Sequence, residues 1–321
     1  MKKVLFSFFI ILFLPLNIFA YSKNIIPGGE SIGIKINTDG LVVVGYYKVN
    51  GEYIGKDYIK IGDIIKEVNG ESVESINELS KIINEEKVYD TLVIRNNKEV
   101  NTKLVVLEER SNLKTGLYVK DSVIGIGTLS YIDPISKIYG ALGHEITLNE
   151  TGEEAPVRDG DILLSRVNRI DKSRNGYVGS KDASISFGSS IGSIYKNSKS
   201  GLFGIYSGNI KNKSTMMVGS FEEIKLGDAF MLTVVSDNEV KPYKIKILEK
   251  YPYRRNTQKA FGFEIVDESL LDVSGGIVQG MSGSPIIQDN KIIGVVTNVL
   301  VDEVKLGYGN SIINMLIEGE K

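Results

Sequence analysis

From Gly116 onward the chain is cut into short runs of Val, Ile, Leu, Phe and Tyr, parted by Gly, Ser, Asn and Asp. The runs are too short for globular helices and carry no helical period until the last residues. Short apolar or alternating runs between turn residues are the mark of strands. The chain holds 34 Gly against 7 Pro, and glycine supplies the positive φ that tight turns demand. Strands at this density restrict the chain to an antiparallel sandwich or barrel. They are expected at 124–129, 138–141, 161–167, 181–187, 204–207, 216–219, 229–235, 243–250, 260–265, 284–288 and 291–296. The Gly/Ser-rich stretch 184–208 reads as turns of that barrel, and 312–317 as a closing helix.

The first hundred residues have another texture. Strands are expected at 31–36 and 41–47, with Asn37-Thr38-Asp39-Gly40 as the turn between them. Ile61-Gly62-Asp63-Ile64-Ile65-Lys66-Glu67-Val68-Asn69-Gly70 gives a turn, a strand and a second turn. Ser75 can cap a helix over 76–85, with Ile76, Leu79, Ile82 and Ile83 on one face. Strands at 90–95 and 103–107 follow, joined by Asn96-Asn97-Lys98. This order resembles a PDZ domain of bacterial exported proteases over about residues 25–107. In such domains a peptide carboxylate sits on backbone N–H groups of a loop, and the peptide adds to the edge of the following strand. By that resemblance the peptide-binding residues are Ser31, Ile32, Gly33 and Ile34. The charged stretch from Glu108 to Asn112 reads as a linker.

Composition removes several function classes. There is no Cys and one His, so disulfides, thiolate catalysis and multi-histidine metal centres within one chain are excluded. No cofactor and no metal site is expected. A net charge of −2 gives no electrostatic case for nucleic acid. Lys2 and Lys3 precede an apolar run, Val4 to Ile18, and a small residue, Ala20. This reads as a secretory signal or a short membrane anchor. The expected organisation is therefore 1–22 as signal or anchor, 23–110 as a PDZ-like domain and 111–321 as a second, β-rich domain.

Gly280-Met281-Ser282-Gly283-Ser284-Pro285 can present a nucleophile. Flanking glycines permit the sharp turn that exposes a Ser Oγ, with backbone N–H groups aimed at a developing oxyanion. The pattern Gly-x-Ser-Gly-x-Pro resembles that of chymotrypsin-like peptidases. By that match the oxyanion donors are the N–H groups of Gly280 and Ser282. The competing α/β-hydrolase elbow fails, since Ser284 stands where its second Gly belongs. The single histidine, His144, follows Gly140-Ala141-Leu142-Gly143 and precedes Ser282, the chain order of that fold class. It is the candidate general base. The residues leave the acid open among Asp159, Asp161, Asp182, Asp237 and Asp267; the chymotrypsin order favours Asp159, Asp161 or Asp182.

Together with Val119–Leu129, Gly275–Gln288 and Gly307-Tyr308-Gly309, the segment Gly140–His144 resembles the stage IV sporulation protein B peptidases of endospore-forming bacteria. The likeness runs along essentially the whole chain. It implies a mainly β protein, an N-terminal PDZ-like α+β domain followed by a chymotrypsin-like antiparallel β-barrel peptidase. It implies a serine endopeptidase with Ser282 as nucleophile, His144 as base and, from the match of 265–271, Asp267 as acid. It implies export across the forespore membrane to the space between forespore and mother cell. The implied partners are the chain itself, by self-cleavage near its N-terminus, and a membrane-bound regulator of an intramembrane metalloprotease that processes a late sigma factor. The N-terminal segment would be the contact with the membrane. The alternatives are a non-catalytic PDZ adaptor and a general envelope quality-control protease.

Overall fold

The computed structural model describes residues 21–148, 150–252 and 258–320. The expected signal or anchor thus falls, but for its last two positions, outside the described residues. In chain order the strands begin with β1 (Asn24–Pro27) and β2 (Ser31–Tyr46). Then come β3 (Ile64–Val68), β4 (Glu71–Ser72), helix α1 (Ile76–Ile82), β5 (Lys87–Arg95), β6 (Lys98–Glu109) and β7 (Asn112–Lys114). Next are β8 (Leu117–Ile132), β9 (Ile138–Ala141), β10 (Asp159–Asp171), β11 (Ser180–Ser198) and β12 (Gly201–Tyr206). The chain continues through β13 (Met216–Val218), β14 (Gly227–Thr233), β15 (Lys241–Lys250), β16 (Phe261–Ile265) and helix α2 (Glu268–Ser274). It ends with β17 (Pro285–Gln288), β18 (Lys291–Val299), β19 (Leu306–Ser311) and helix α3 (Ile312–Gly319). Among the described residues no helix is long and apolar enough to cross a membrane.

The pairings close two rings. In the first, β2 pairs β8, β8 pairs β9, β9 pairs β12, β12 pairs β11, β11 pairs β10 and β10 returns to β2, every pair antiparallel. In the second, β14 pairs β15, then β16, β19, β18 and β17 follow and β17 returns to β14, again antiparallel throughout. Closure removes the free edges that an open sheet would expose. Period-two patterning fills each interior. In β2, Ile32, Ile34 and Ile36 enter the first core beside Leu129, Tyr139, Ile162 and Leu202. In β15, Tyr243, Ile245 and Ile247 are buried while Lys244 and Lys246 face water. They meet Phe261, Phe263, Ile286 and Met281 in the second core. Each such side chain contributes about 1.5–3 kcal/mol by leaving water. Between the rings, Ile312, Met315 and Leu316 of α3 pack with Tyr131 and Phe203 of the first and Ile287, Ile292 and Val295 of the second.

The N-terminal unit is built between β2 and β8. Its core joins Leu41, Val43, Ile65, Val68, Leu79, Tyr89, Val93, Leu104 and Leu117. Helix α1 starts where expected, because Ser75 and Glu78 form a reciprocal capping box. Asn69 and Gly70 both take positive φ (53° and 77°), as a two-residue turn of this kind requires. Asp63 of the Gly-Asp-Ile-Ile motif is buried and grips Arg95 through Nε (2.8 Å) and Nη2 (2.6 Å). The motif's acid is therefore a structural anchor.

Three expectations are corrected. Residues 31–36 and 41–47 are not a hairpin. They are one strand, and the residues between them bulge out: Asn37 faces Ser122, and the next paired residue, Val42, faces Lys120. As a result Ser31, Ile32, Gly33 and Ile34 cannot receive a peptide as an added strand. They pair with 125–128 of β8 on one side, and Ile32, Gly33 and Ile34 pair with 162–164 of β10 on the other. Residues 24–37, expected in the N-terminal domain, supply β1 and the first half of β2, and so the first ring.

Candidate active site

His144 and Ser282 sit where one ring touches the other. Beyond the end of β9, Leu142 and Gly143 take positive φ (68° and 73°) and turn the chain back. A Cβ on Gly143 would lie 2.6 Å from Val295 Cγ2 of β18, so only glycine allows this approach. Across the junction, Gly283 also has positive φ (90°). A Cβ there would lie 2.3 Å from Thr128 O and 2.4 Å from Leu142 N. The two loops interlock on backbone, with Thr128 N donating to Ser282 O at 3.1 Å.

This junction brings His144 and Ser282 to one cleft of about 600 Å³. Ile34, Ile126, Leu142, Gln279 and Gly280 share its wall. His144 Nδ1 lies 2.7 Å from the carbonyl oxygen of Glu145. A carbonyl can only accept, so the proton sits on Nδ1, which leaves Nε2 of the neutral ring as an acceptor. That is the tautomer a general base needs. The Ser282 hydroxyl donates to Thr297 O at 3.0 Å. Among the described residues the N–H groups of Gly280 and Ser282 have no hydrogen-bond partner, whereas those of Met281, Gly283 and Ser284 do. Two free amides on one tight loop are what an oxyanion requires.

Among the described residues no carboxylate is hydrogen-bonded to the imidazole. Asp267, expected as the acid, is the N-cap of α2: it accepts from Leu270 N (3.1 Å) and Ser269 Oγ (2.5 Å), and from Lys244 N (3.1 Å). Burial raises its pKa, but the hydrogen bonds from Ser269, Lys244 N and Leu270 N outweigh that and hold it below the usual carboxylate range. The alternatives are engaged elsewhere too. Asp159 takes Arg158 and Asn37, Asp161 takes Ser190, Asp182 takes Arg169 and Asp237 takes Arg166. The place of an acid at Nδ1 is held by the Glu145 carbonyl.

Two features of the site went unread in the sequence. The loop after His144 leans on the N-terminal unit, where Leu148 and Ala155 pack with Val42, flanked by Val44, Ile64, Val123 and Ile146. Beneath the nucleophile loop lies Lys181, 5% exposed. Burial alone pushes its ammonium down to about 7. The alternation of β11 could have shown it, since Lys181 stands at an inward position of that strand.

The sequence matches the SpoIVB peptidase S55 family over residues 111–316. No curated protein matches it. Among solved structures, the active form of Rv3671c protease from M. tuberculosis is 13% identical, over 62% of this chain and 73% of that one, with a TM-score of 0.34. An inactive serine-to-alanine form of Rv3671c from M. tuberculosis H37Rv is 13% identical, over 61% and 79%, with a TM-score of 0.32. With its family shown over well more than half its length, the chain belongs to the SpoIVB peptidases and is a serine peptidase.

Proposed function

We propose that the protein is an exported sporulation endopeptidase of chymotrypsin-like build, in which Ser282 is the nucleophile and His144 the base. The observation that carries this is the cleft itself: an imidazole fixed in the base tautomer and a serine flanked by two unpaired amides. Two closed six-stranded antiparallel rings, with His144 on a loop of the first and Ser282 on a loop of the second, support the chymotrypsin-like assignment.

The steps follow from these positions. The Ser282 side chain leaves Thr297 O and turns to Nε2 of His144. Its Oγ attacks the scissile carbonyl as Nε2 takes the proton. The carbonyl oxygen, now negative, is received by the N–H groups of Gly280 and Ser282. His144 returns the proton to the departing amine, and water repeats the sequence to release the acyl group. The Glu145 carbonyl keeps Nδ1 protonated throughout, and a neutral dipole steadies the imidazolium less than a carboxylate would.

The implied substrates are the chain's own N-terminal region and a membrane-bound regulator of an intramembrane metalloprotease, acting in the space between forespore and mother cell. The N-terminal unit supports a PDZ-like role through its Gly-Asp-Ile-Ile turn and α1, with a peptide site other than 31–34. The test is N-terminal sequencing of purified wild type beside Ser282→Ala and His144→Ala. Self-cleavage should fall by roughly four to six orders of magnitude in both, since such groups act as a unit. Unchanged cleavage in either variant removes that residue from the mechanism.

A further inference from the structure

The glycine that serves the oxyanion poses a physical problem. Gly280 has φ of +93° and no side chain, so nothing in its own chemistry stops its two peptide units from rotating. Within the loop the Met281 N–H bonds Val278 O at 3.1 Å; any further hold must come from outside. One residue reaches both sides. The backbone N–H of Lys181 donates to Gln279 O at 2.9 Å. In a trans peptide the N–H points opposite to the C=O, so this bond turns the Gly280 N–H away from Lys181 and toward the cleft. On the other side, the Gly280 carbonyl accepts from Thr128 Oγ1 at 2.7 Å, and Thr128 Oγ1 lies 3.4 Å from Lys181 Nζ. The aliphatic stem fills the gap between them: a Cβ on Gly280 would lie 3.1 Å from Lys181 Cδ.

The lysine is placed at a cost. It is buried, and among the described residues no carboxylate pairs with it; its polar partners are Thr128 and, at 3.0 Å, Thr233 Oγ1. Thr233 in turn accepts from Ser284 Oγ at 3.1 Å. The four side chains form one network below the loop, and it meets the loop at Gly280 O, through Thr128, and at Ser284, through Thr233. An ammonium with no counter-charge is expensive to bury, and a buried apolar side chain would stabilise the barrel more.

We propose that the Lys181 side chain positions the oxyanion donor for catalysis. The backbone N–H of Lys181 sets the Gln279–Gly280 peptide. The buried side chain, through Thr128 and by packing on Gly280, clamps that peptide against turning, so that the Gly280 N–H faces the oxyanion. The inference rests on Ser282 being the nucleophile. It concerns this chain's own geometry, and Lys181 touches no substrate.

The experiment uses a fluorophosphonate probe, whose phosphoryl oxygen occupies the oxyanion site once Ser282 is modified. Wild type, Lys181→Met and Thr128→Val are compared for the maximal modification rate (kinact) and the probe's half-saturation (KI), with thermal unfolding at pH 6. For Lys181→Met, kinact should fall roughly ten- to a hundredfold, the range of a weakened oxyanion donor, with KI held within about threefold. Its Tm at pH 6 should equal or exceed that of wild type, because the variant no longer buries a charge. Thr128→Val should lower kinact in the same direction, and the double variant should lose less than the product of the two. The proposal is overturned if Lys181→Met reacts within about twofold of wild type, or if its loss follows a lowered Tm or a raised KI. Should that variant not fold, an unchanged kinact in Thr128→Val overturns the clamp alone. Failure of wild type to be modified at Ser282 overturns the nucleophile assignment, and with it this inference.

Discussion

The two rings have the same strand count and sense of pairing, yet they hold their catalytic residues differently. In the second, the nucleophile loop is held from both sides: Met281 is buried in its own core and Ser284 bonds Thr233, while Lys181 and Thr128, on β11 and β8 of the first ring, grip Gly280. In the first, the base stands at the head of a loop supported from outside. Leu148 and Ala155 rest on Val42 beside Val44 and Ile64, residues of the inserted N-terminal unit. The nucleophile loop is therefore pinned by both barrels, while the loop that begins at the base rests on the N-terminal unit. The N-terminal unit thus packs on the loop that follows His144, a placement through which a change in that unit is expected to act on the base.

The largest effect should come from the point where the rings interlock. Gly283→Ala places a methyl 2.3 Å from Thr128 O and 2.4 Å from Leu142 N, at φ of +90°. Both neighbours are backbone and cannot swing aside. The variant should lose at least about 3 kcal/mol of stability from strain and displacement together, read by chemical denaturation. Modification at Ser282 should drop with it. An intact, reactive Gly283→Ala protein would show that the rings do not depend on this contact.

A matched pair of truncations sharpens the contrast. Leu148→Ala and Ile247→Ala each remove a buried side chain, one under the base loop and one in the second core. Each should cost about 2–4 kcal/mol. Only Leu148→Ala should also lower kinact of the folded protein, since it loosens the loop that begins at His144. Amide exchange at Leu148, whose N–H bonds Glu153 O, should rise in that variant alone. Equal losses of activity in both would mean that the base is as rigidly held as the nucleophile.

The sequence disclosed these two halves unequally, for physical reasons. Strand 138–141, helix 312–319 and the loop 280–285 follow from local chemistry, from alternation, apolar period and flanking glycines. Strand β19 hid behind its glycines, which ordinarily weaken strands. Here they are required, since a Cβ on Gly309 would lie 2.3 Å from Phe261 Cζ. The fusion of 31–36 with 41–47 was hidden because Asn37-Thr38-Asp39-Gly40 is sound turn chemistry, overridden by pairing with β8 and β10. Helix α2 went unread, although Asp267 before it and Gly275 after it, at φ of +71°, are a standard start and stop. Lys181 shows the opposite limit. A lysine in a strand is ordinarily on the water side, and although the alternation of β11 puts this one on the inward face, its residue type argued the other way.

Asp267 gives the smallest effect and the most discriminating one, because two roles for it predict different things. As the N-cap of α2 it satisfies Leu270 N and holds Lys244 N of β15. Asp267→Ala should then cost about 1 kcal/mol, with kinact at Ser282 within about twofold of wild type. The pH dependence has a fixed sign. Hydrogen bonds lower the folded pKa below the unfolded value despite burial, so the carboxylate stabilises the fold above the unfolded pKa of about 3.9. That contribution is lost as pH falls through the folded value. The stability gap between wild type and Asp267→Ala should therefore be full at pH 7 and should narrow toward pH 2. An acid that steadies the imidazolium would instead cost about 10⁴-fold in rate when removed. A loss of that size at neutral pH, with little change in stability, would require the α2 cap to open and bring Asp267 to the base.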